Sequence, residues 1–165
     1  MIIGFEDLKK IRGRRRDKKI VFCSGGFDLT HAGHVLFFED CKKQGDVLVV
    51  MVGSDIVVKR DKGEKRPILN EHTRIKLIDA LRPVDYCFID KLLPLEAHPL
   101  DYIDCVFAEL KPDIYVVNDD AFDTPYRRIM ADRHGVKLVI LKRSCPPEFE
   151  KISTSSIIKK IKETS

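Results

Sequence analysis

Five short apolar runs, rich in β-branched residues, alternate along the chain with longer amphipathic segments. Within each run nearly every position is apolar, which is typical of strands that helices cover on both sides. The runs comprise residues 19–24, 46–53, 84–90, 113–118 and 136–141. This alternation predicts an α/β fold, a Rossmann-like open parallel sheet of about five buried strands with helices on both faces.

The segments between the predicted strands carry helix start and stop signals. Pro125 stands at a first helical position, whereas Gly45 and Gly135 each follow the end of a segment. The predicted helices are residues 34–44, 70–81, 99–110, 124–134 and 154–162. Residues 55–69 are predicted to form one long irregular loop, and a loop of that length is more often functional than idle.

Length and composition favour one soluble domain over residues 1–165. The chain is 44% hydrophobic and 34% charged, with a formal net charge of +4. Much of this charge lies in a basic N-terminal segment, residues 1–18, and above all in RGRRRDKK from Arg12, which we interpret as solvated and unimportant for catalysis. The remaining charges form no continuous basic stripe, so we expect no nucleic-acid partner.

The five cysteines are scattered and include no Cys-x-x-Cys pair, so they indicate reduced thiols rather than a zinc or redox site. No run approaches the ~18 apolar residues of a membrane span. The N-terminus turns acidic too early for a signal peptide. We therefore expect a cytoplasmic location and no membrane partner.

The stretch GGFDLTHAGH leaves the first predicted strand and leads into a helix. Gly25 and Gly26 permit positive φ angles or a close ligand approach, and the free N–H groups of the helix form an anion site. His31 and His34 are three residues apart, so both rings project toward one site, where each can donate to a phosphate oxygen. Gly33 between them leaves room for a nucleotide. The spacing also fits a metal pair, but no third ligand is evident, and we predict no metal site in the chain.

GGFDLTHAGH resembles the signature of the nucleotidyltransferase superfamily typified by the cytidylyltransferases, which carry a His-x-Gly-His motif after a Gly-x-Phe-Asp turn. ISTSSII, which begins at Ile152, is similar to the second signature of that superfamily. The resemblance extends over nearly the whole chain after Asp17. It implies that a phosphorylated acceptor attacks the α-phosphate of a nucleoside triphosphate, that pyrophosphate leaves, and that magnesium accompanies the triphosphate.

The resemblance also implies roles for individual residues. His31 and His34 would stabilise the transition state, assisted by Lys62. Other residues implied in nucleotide binding are Gly25, Gly26, Phe27, Asp28, Gly33, Lys59, Arg74, Asp119, Asp120, Ile152, Ser153, Thr154, Ser155 and Ser156.

Several of these positions have a simpler interpretation. The serines after Ile152 form an anion site or an ordinary helix cap. Asp28 either fixes the conformation of its turn or takes a direct part in nucleotide binding. Asp119 and Asp120 meet a base or a metal, or form a turn that leads into a helix.

Two resemblances point to different nucleotides. The first half of the chain is similar to the adenylyltransferase domain that makes ADP-heptose, whereas VNDDAF and ISTSSII resemble the choline-phosphate and glycerol-phosphate cytidylyltransferases. Those enzymes usually have Arg-Thr-Glu-Gly before Ile-Ser-Thr, but here PEFEK stands there and Arg143 lies nine residues ahead of Ile152. An arginine contact to the phosphates is therefore missing or supplied from elsewhere.

The nucleotide is accordingly CTP or ATP, and the expected acceptor is a small phosphorylated sugar or polyol. The resemblance also suggests a homodimer. One alternative is an adenylyltransferase that acts on a cofactor precursor, namely FMN, NMN or phosphopantetheine. Another is a nucleotide-binding protein without turnover. The motifs are shared with class I aminoacyl-tRNA synthetases, but this chain is too short to hold a tRNA-binding domain.

Overall fold

A five-stranded parallel sheet forms the centre of the computed structural model, which describes residues 1–90 and 98–164. The strands are β1 (Ile20–Gly25), β2 (Val47–Val52), β3 (Tyr86–Ile89), β4 (Ile114–Asn118) and β5 (Lys137–Leu141). Their order in the sheet is β3-β2-β1-β4-β5, and every neighbouring pair is parallel. The predicted Rossmann-like α/β class is therefore confirmed.

Seven α-helices and one 3-10 turn complete the described part of the chain. They are the turn Phe5–Asp7, α1 (Leu8–Arg14), α2 (Ala32–Lys42), α3 (Asp55–Lys62), α4 (Glu71–Asp79), α5 (Asp101–Leu110), α6 (Thr124–Arg133) and α7 (Thr154–Thr164). The five predicted helices are all present, with ends that differ by a few residues. Pro125 lies in the first turn of α6, and Gly135 after that helix has a φ of 66°.

The predicted loop over residues 55–69 is wrong in its first half, because α3 occupies that part. Ser54 begins this helix by accepting a hydrogen bond from the Val57 N–H. Val58 is the only buried residue of α3, and charged residues make up most of the rest of the helix. The sequence therefore lacks the apolar stripe by which a helix is usually predicted. A cap and one buried contact stabilise a short helix here that periodicity alone does not reveal.

Alternate side chains of the strands point into two separate cores. One core lies under α1, α5 and α6 and includes Phe22, Val49 and Tyr115. The other lies under α2 and α4 and includes Cys23 and Val50. Helices therefore cover both faces of the sheet, as the apolar strand runs predict.

The fifth strand departs from the expectation of five buried strands. β5 is an edge strand that pairs only with β4, and Ile140 on it is 41% exposed. Its apolar sequence therefore indicated burial that the edge position does not provide.

The basic N-terminal segment is partly ordered rather than wholly solvated. Leu8 and Ile11 on α1 are buried beside α5. The Arg12 guanidinium donates to the Lys111 carbonyl at 2.6 Å and to the Asp113 carboxylate at 2.7 Å. This segment therefore helps to fix the turn before β4.

Within the described residues no helix is long and apolar enough to cross a bilayer. No disulfide links the five cysteines, all of which lie in the described residues; Cys23, Cys41 and Cys87 are buried, whereas Cys105 and Cys145 are exposed.

The strand order reverses between β1 and β4, where β1 continues toward β2 on one side and β4 toward β5 on the other. In open α/β sheets ligands bind outside the carboxyl ends of the strands at such a switch point. The stretch that begins at Gly25 and the acidic pair Asp119 and Asp120 follow these two strand ends.

Substitution of Leu8 by alanine tests the packing of α1. Leu8 is fully buried, so Leu8→Ala should lower the free energy of unfolding by about 2–5 kcal/mol through lost burial and the cavity left behind. Urea denaturation measures this loss, with Lys9→Ala on the exposed side of α1 as the control. Equal stability of the two variants would show that α1 does not pack on the core.

Candidate active site

Three adjoining cavities lie along the carboxyl edge of the sheet. The α7 cavity, about 640 Å³, lies between the start of α2, the end of β5 and the start of α7. The histidine cavity, about 280 Å³, covers the ends of β1 and β4 beside His34. The α5 cavity, about 110 Å³, lies between the ends of β1, β2 and β3 and the start of α5.

Shared walls join the three cavities into one cleft. Gly33, Asp120 and Arg143 line both the α7 cavity and the histidine cavity. A second set of residues lines both the histidine cavity and the α5 cavity: Ser24, Gly25, Gly26, Asp61, Lys62 and Arg127. The histidine cavity is therefore the middle of the cleft.

The turn after β1 combines close packing with two strained residues. Positive φ angles fall on Phe27 (46°) and Leu29 (47°) rather than on the two glycines. Gly25 and Gly26 instead permit close approach: a Cβ on Gly25 would lie 2.9 Å from the Phe27 ring, and one on Gly26 3.7 Å from the Lys62 ammonium. The glycines thus bring the turn against its own aromatic residue and against α3.

Asp28 connects this turn to the chain that precedes α4. Its buried carboxylate accepts hydrogen bonds from the N–H groups of Ile68 (2.8 Å) and Leu69 (3.0 Å) and from the Arg66 guanidinium (2.9 Å). Although burial opposes its charge, these donors hold the pKa of Asp28 below its usual value. Asp28 therefore fixes the turn by bonding to a distant loop.

Arg74 reaches the site through the backbone. Its fully buried guanidinium donates to the Gly26 carbonyl at 2.6 Å, to the Leu69 carbonyl at 2.9 Å and to the Asp55 carboxylate at 2.7 Å. Arg74 thus holds the Gly26 turn against α3 and α4, and it lines none of the three cavities.

The two histidines stack at the start of α2. Their ring centroids are 3.9 Å apart, and the rings are inclined by 24°. His31 caps the helix, and its Nδ1 accepts a hydrogen bond from the Gly33 N–H at 3.1 Å, so a neutral His31 ring carries its proton on Nε2. Of the two rings, only that of His34 lines a cavity, and its buried Nδ1 has no hydrogen-bond partner within residues 1–90 and 98–164.

Both imidazoles are neutral at physiological pH. Burial lowers the pKa of His34 to about 3, and the neighbouring His31, Arg143 and Lys62 charges act in the same direction. Burial, followed by the charge of Arg143, also lowers the pKa of His31. The pair therefore offers neutral hydrogen-bond donors to an anion.

The second motif meets the first at the N-terminus of α7. The Ser153 hydroxyl oxygen accepts from the Ser156 N–H at 3.1 Å, and both residues line the α7 cavity. The Thr154 hydroxyl donates to the Asp28 carbonyl at 2.7 Å. The serines thus cap the helix and face the cavity together, while Ser155 is exposed outside it.

Gly33 lies where the two motifs touch. A Cβ there would lie 3.0 Å from the His31 ring and 3.3 Å from the Ile152 carbonyl oxygen. A side chain at this position would separate the start of α2 from the segment before α7.

The cations predicted for the site lie in different places. Lys62 lines the histidine and α5 cavities, and desolvation, followed by the nearby Arg66 charge, lowers its pKa. Lys59 instead pairs with Glu64 at 2.5 Å and lines none of the cavities. Asp119 and Asp120 both line the α7 cavity.

Arg143 supplies a cation that the second motif lacks. It follows the carboxyl end of β5, lines both the α7 and histidine cavities, and pairs with Asp120 at 2.7 Å. Its side chain is 42% exposed, so this ion pair is open to exchange for a ligand. The sequence signal is that Arg143 lies just beyond a predicted strand end.

Three further cleft residues escape prediction from the sequence. Asn118 ends β4, and its buried Oδ1 has no hydrogen-bond partner within the described chain. Asp90 follows β3 and Arg127 lies on α6, and both are buried in the walls of the α5 cavity. The sequence signal for Asn118 and Asp90 is that they stand at or just after a predicted strand end. No sequence signal distinguishes Arg127 from the other arginines of α6.

Residues 22–160 match the cytidylyltransferase-like family, and the chain belongs to that family. The predicted family resemblance is thereby confirmed. In the part of the chain that the structure describes, no group of three or more His, Cys, Asp or Glu side chains is arranged to hold a metal ion.

Two relatives are named bifunctional protein HldE. The protein from Helicobacter pylori (strain P12) is 38% identical over 158 residues, which are 95% of this chain and 31% of that protein. The protein from Campylobacter jejuni (strain RM1221) is 40% identical over 152 residues, 91% of this chain and 29% of that protein. The chain thus spans about a third of the length of these relatives.

Solved structures agree with the fold. A lipopolysaccharide core biosynthesis protein from Thermoplasma volcanium is 30% identical with a TM-score of 0.61, covering 77% of this chain and 97% of that one. A pantoate-beta-alanine ligase from Francisella tularensis has a TM-score of 0.61 at 15% identity, covering 99% of this chain and 78% of that one. The second likeness concerns the fold alone.

The depressed pKa of His34 predicts a pH-dependent stability. Between pH 6.5 and about 3, His34 is protonated in the unfolded chain but neutral in the folded protein. The free energy of unfolding therefore decreases as the pH falls through this range. From pH 7 to pH 5 this loss should be about 2 kcal/mol.

Urea midpoints of the wild type and of His34→Asn at the two pH values measure this effect. Relative to the wild type, the free energy of unfolding of His34→Asn should be about 2 kcal/mol higher at pH 5 than at pH 7. His72→Asn, at an exposed position of α4, is the control. An unchanged difference for His34→Asn would contradict the burial of a neutral imidazole.

Proposed function

We propose that the protein is a nucleotidyltransferase that joins a nucleoside triphosphate to a small phosphorylated sugar or polyol and releases pyrophosphate. One observation carries the proposal. His34 of the first motif, stacked on His31, and the capped N-terminus of α7 from the second motif border the same cleft, and Arg143 lines both of the cavities they face. Family membership and the HldE relatives support it.

The α7 cavity suits the nucleotide. A cavity of about 640 Å³ is within the usual range for small-molecule sites. The N-terminus of α7 presents free N–H groups and the positive end of the helix dipole, which favour the β- and γ-phosphates. The α-phosphate would then lie at the wall shared with the histidine cavity, next to Gly33 and Arg143.

The histidines would stabilise charge at the α-phosphorus. An oxygen of the acceptor phosphate forms a new bond to this phosphorus while the bond to the bridging oxygen of pyrophosphate breaks. The chain needs no nucleophile of its own for this step. Its contribution is to orient the reacting groups and to donate hydrogen bonds to oxygens whose charge increases.

Magnesium would enter with the triphosphate as part of the substrate. Phosphate oxygens and water are ligands that Mg²⁺ prefers, and it commonly needs only one or two carboxylates from a protein. Asp119 and Asp120 at the α7 cavity could provide them. The ion would offset the charge of the leaving pyrophosphate.

ATP and an ADP-heptose type of product are the more specific proposal. The HldE relatives cover almost the whole chain, and the early sequence resembles the adenylyltransferase domain that makes ADP-heptose. CTP is the second candidate because VNDDAF and ISTSSII resemble the cytidylyltransferases. We also propose a homodimer, on the resemblance alone, and a cytoplasmic location, on the scattered cysteines without a Cys-x-x-Cys pair.

Thermal melting tests the nucleotide. The purified chain would be heated with magnesium and, separately, ATP, CTP, GTP or UTP at millimolar concentration. A ligand at 100 times its Kd adds roughly 2.7 kcal/mol, which raises the melting temperature by several degrees. Selective stabilisation by ATP supports the ADP-sugar proposal, selective stabilisation by CTP replaces it, and no stabilisation by any nucleotide contradicts both.

Substitution of His31 tests the reaction. His31→Ala removes one donor from the stacked pair, so pyrophosphate release from ATP and heptose 1-phosphate should fall at least about 100-fold. The melting temperature should change little by comparison. His72→Ala, at an exposed position on α4, should leave the rate unchanged. If His31→Ala releases pyrophosphate at the wild-type rate, the proposed role of His31 is refuted. If the wild type binds nucleotide but releases no pyrophosphate, the chain is a nucleotide-binding protein without turnover.

A further inference from the structure

The α5 cavity has no part in the nucleotide site as proposed above. It shares no lining residue with the α7 cavity, so the two lie on different sides of the histidine cavity. Phosphoryl-type transfer places the attacking and leaving oxygens roughly in line through phosphorus. If pyrophosphate leaves on the α7 side, the attacking oxygen must come from the α5 side.

Two cations stand at the wall between the histidine and α5 cavities. Lys62 and Arg127 line both of them. Arg127 is 9% exposed, and its Nε donates to the Phe122 carbonyl at 2.7 Å while Nη1 donates to the Tyr115 hydroxyl. Within the described residues Nη2 has no hydrogen-bond partner. Both acceptors are neutral, and Asp61, the carboxylate of the same wall, pairs with Arg60 at 3.1 Å, so the Arg127 charge can attract an anion.

A buried carboxylate lies deeper in the same cavity. Asp90 is 8% exposed, and its Oδ1 accepts a hydrogen bond from the Ser54 N–H at 2.7 Å. Its Oδ2 lies 3.8 Å from the position that a Cβ on Gly53 would occupy, and Gly53 also lines the cavity. A carboxylate in such a wall repels a phosphate but accepts hydrogen bonds from hydroxyl groups.

We propose that the α5 cavity binds the acceptor as a hydroxylated phosphomonoester, with its phosphate between Lys62 and Arg127 and its hydroxyl groups on Asp90. This assignment rests on the proposed function and adds to it the place of the second substrate and the residues that select it. A cation at one end and a carboxylate at the other match a sugar or polyol phosphate. A phosphate ester with an apolar chain would offer Asp90 no hydroxyl donor beyond its hydrogen bond from Ser54.

Kinetics with paired variants test the proposal. Pyrophosphate release by the full chain would be followed with magnesium–ATP and heptose 1-phosphate, varying each substrate in turn. Arg127→Gln and Asp90→Asn should raise the KM for the sugar phosphate about 10- to 100-fold, the usual effect of losing a hydrogen bond to a charged group. The KM for ATP should stay within about twofold of the wild-type value, because neither residue lines the α7 cavity.

The chain offers matched controls. Arg128→Gln and Asp132→Asn change the same residue types at exposed positions of α6 and should leave both KM values unchanged. Asn at position 90 keeps an oxygen for the Ser54 N–H. Gly53→Ala is a second test that keeps every charge. Its methyl group would lie 3.3 Å from a Val58 methyl and 3.8 Å from Asp90 Oδ2, so it should occupy space in the cavity and also raise the KM for the sugar phosphate.

Inhibition by simple phosphate esters separates the two parts of the site. Glycerol 3-phosphate carries hydroxyl groups, whereas propyl phosphate carries none. Asp90→Asn should weaken competitive inhibition by glycerol 3-phosphate only, and Arg127→Gln should weaken inhibition by both. Equal effects of Asp90→Asn on the two esters would overturn the hydroxyl-binding role.

Failure of this proposal is distinguishable from failure of the proposed function. If the wild type releases pyrophosphate, the proposed function stands. If the variants then raise the KM for ATP, or change neither the KM for ATP nor that for the sugar phosphate, the acceptor site is overturned. If the wild type shows no turnover, calorimetric titration with heptose 1-phosphate decides. Binding that Asp90→Asn and Gly53→Ala both weaken supports the site, and no binding to the wild type overturns it.

Discussion

The carboxylate of Asp28 is the interaction on which the cleft depends. It is buried and accepts three hydrogen bonds from the chain that precedes α4, while the carbonyl of the same residue accepts the Thr154 hydroxyl from α7. One residue thereby joins the first motif, the segment after α3 and the second motif. Removing the Asp28 side chain would leave these part-buried N–H groups without their acceptor, and a buried donor left without a partner costs about 1–3 kcal/mol.

The chemistry of the cleft follows from neutral donors surrounded by cations. Burial lowers the pKa of His34, and the Arg143 and Lys62 charges act in the same direction, so the histidines do not add to the positive charge that they face. Under the proposed function, a triphosphate that entered this field would be attracted by the fixed cations and hydrogen-bonded by the neutral His34 ring. The positive field and the uncharged donors are thus supplied by different residues.

The sequence predicted the strands and the two motifs well, because the parallel order places all strand ends at one edge. It failed at α3, whose cap and single buried valine give little periodicity, and at β5, whose apolar residues stand at an edge. Arg127 and Asp90 were missed because their importance depends on which cavity they enter. Lys59 and Lys62 are alike in sequence, and only the packing of α3 separates the lysine that enters the cleft from the one that does not.

The attachment of α7 has a consequence for local stability. None of its residues is buried: Ile157 and Ile158 are half-buried, and Ile161 is exposed. Helices with few buried contacts open at a lower free energy than the strands of a core. The proposed nucleotide site would therefore combine a rigid sheet edge with a helix whose amide hydrogens we expect to exchange early. A ligand that bridges the two would protect the amides of α7 far more than those of β1.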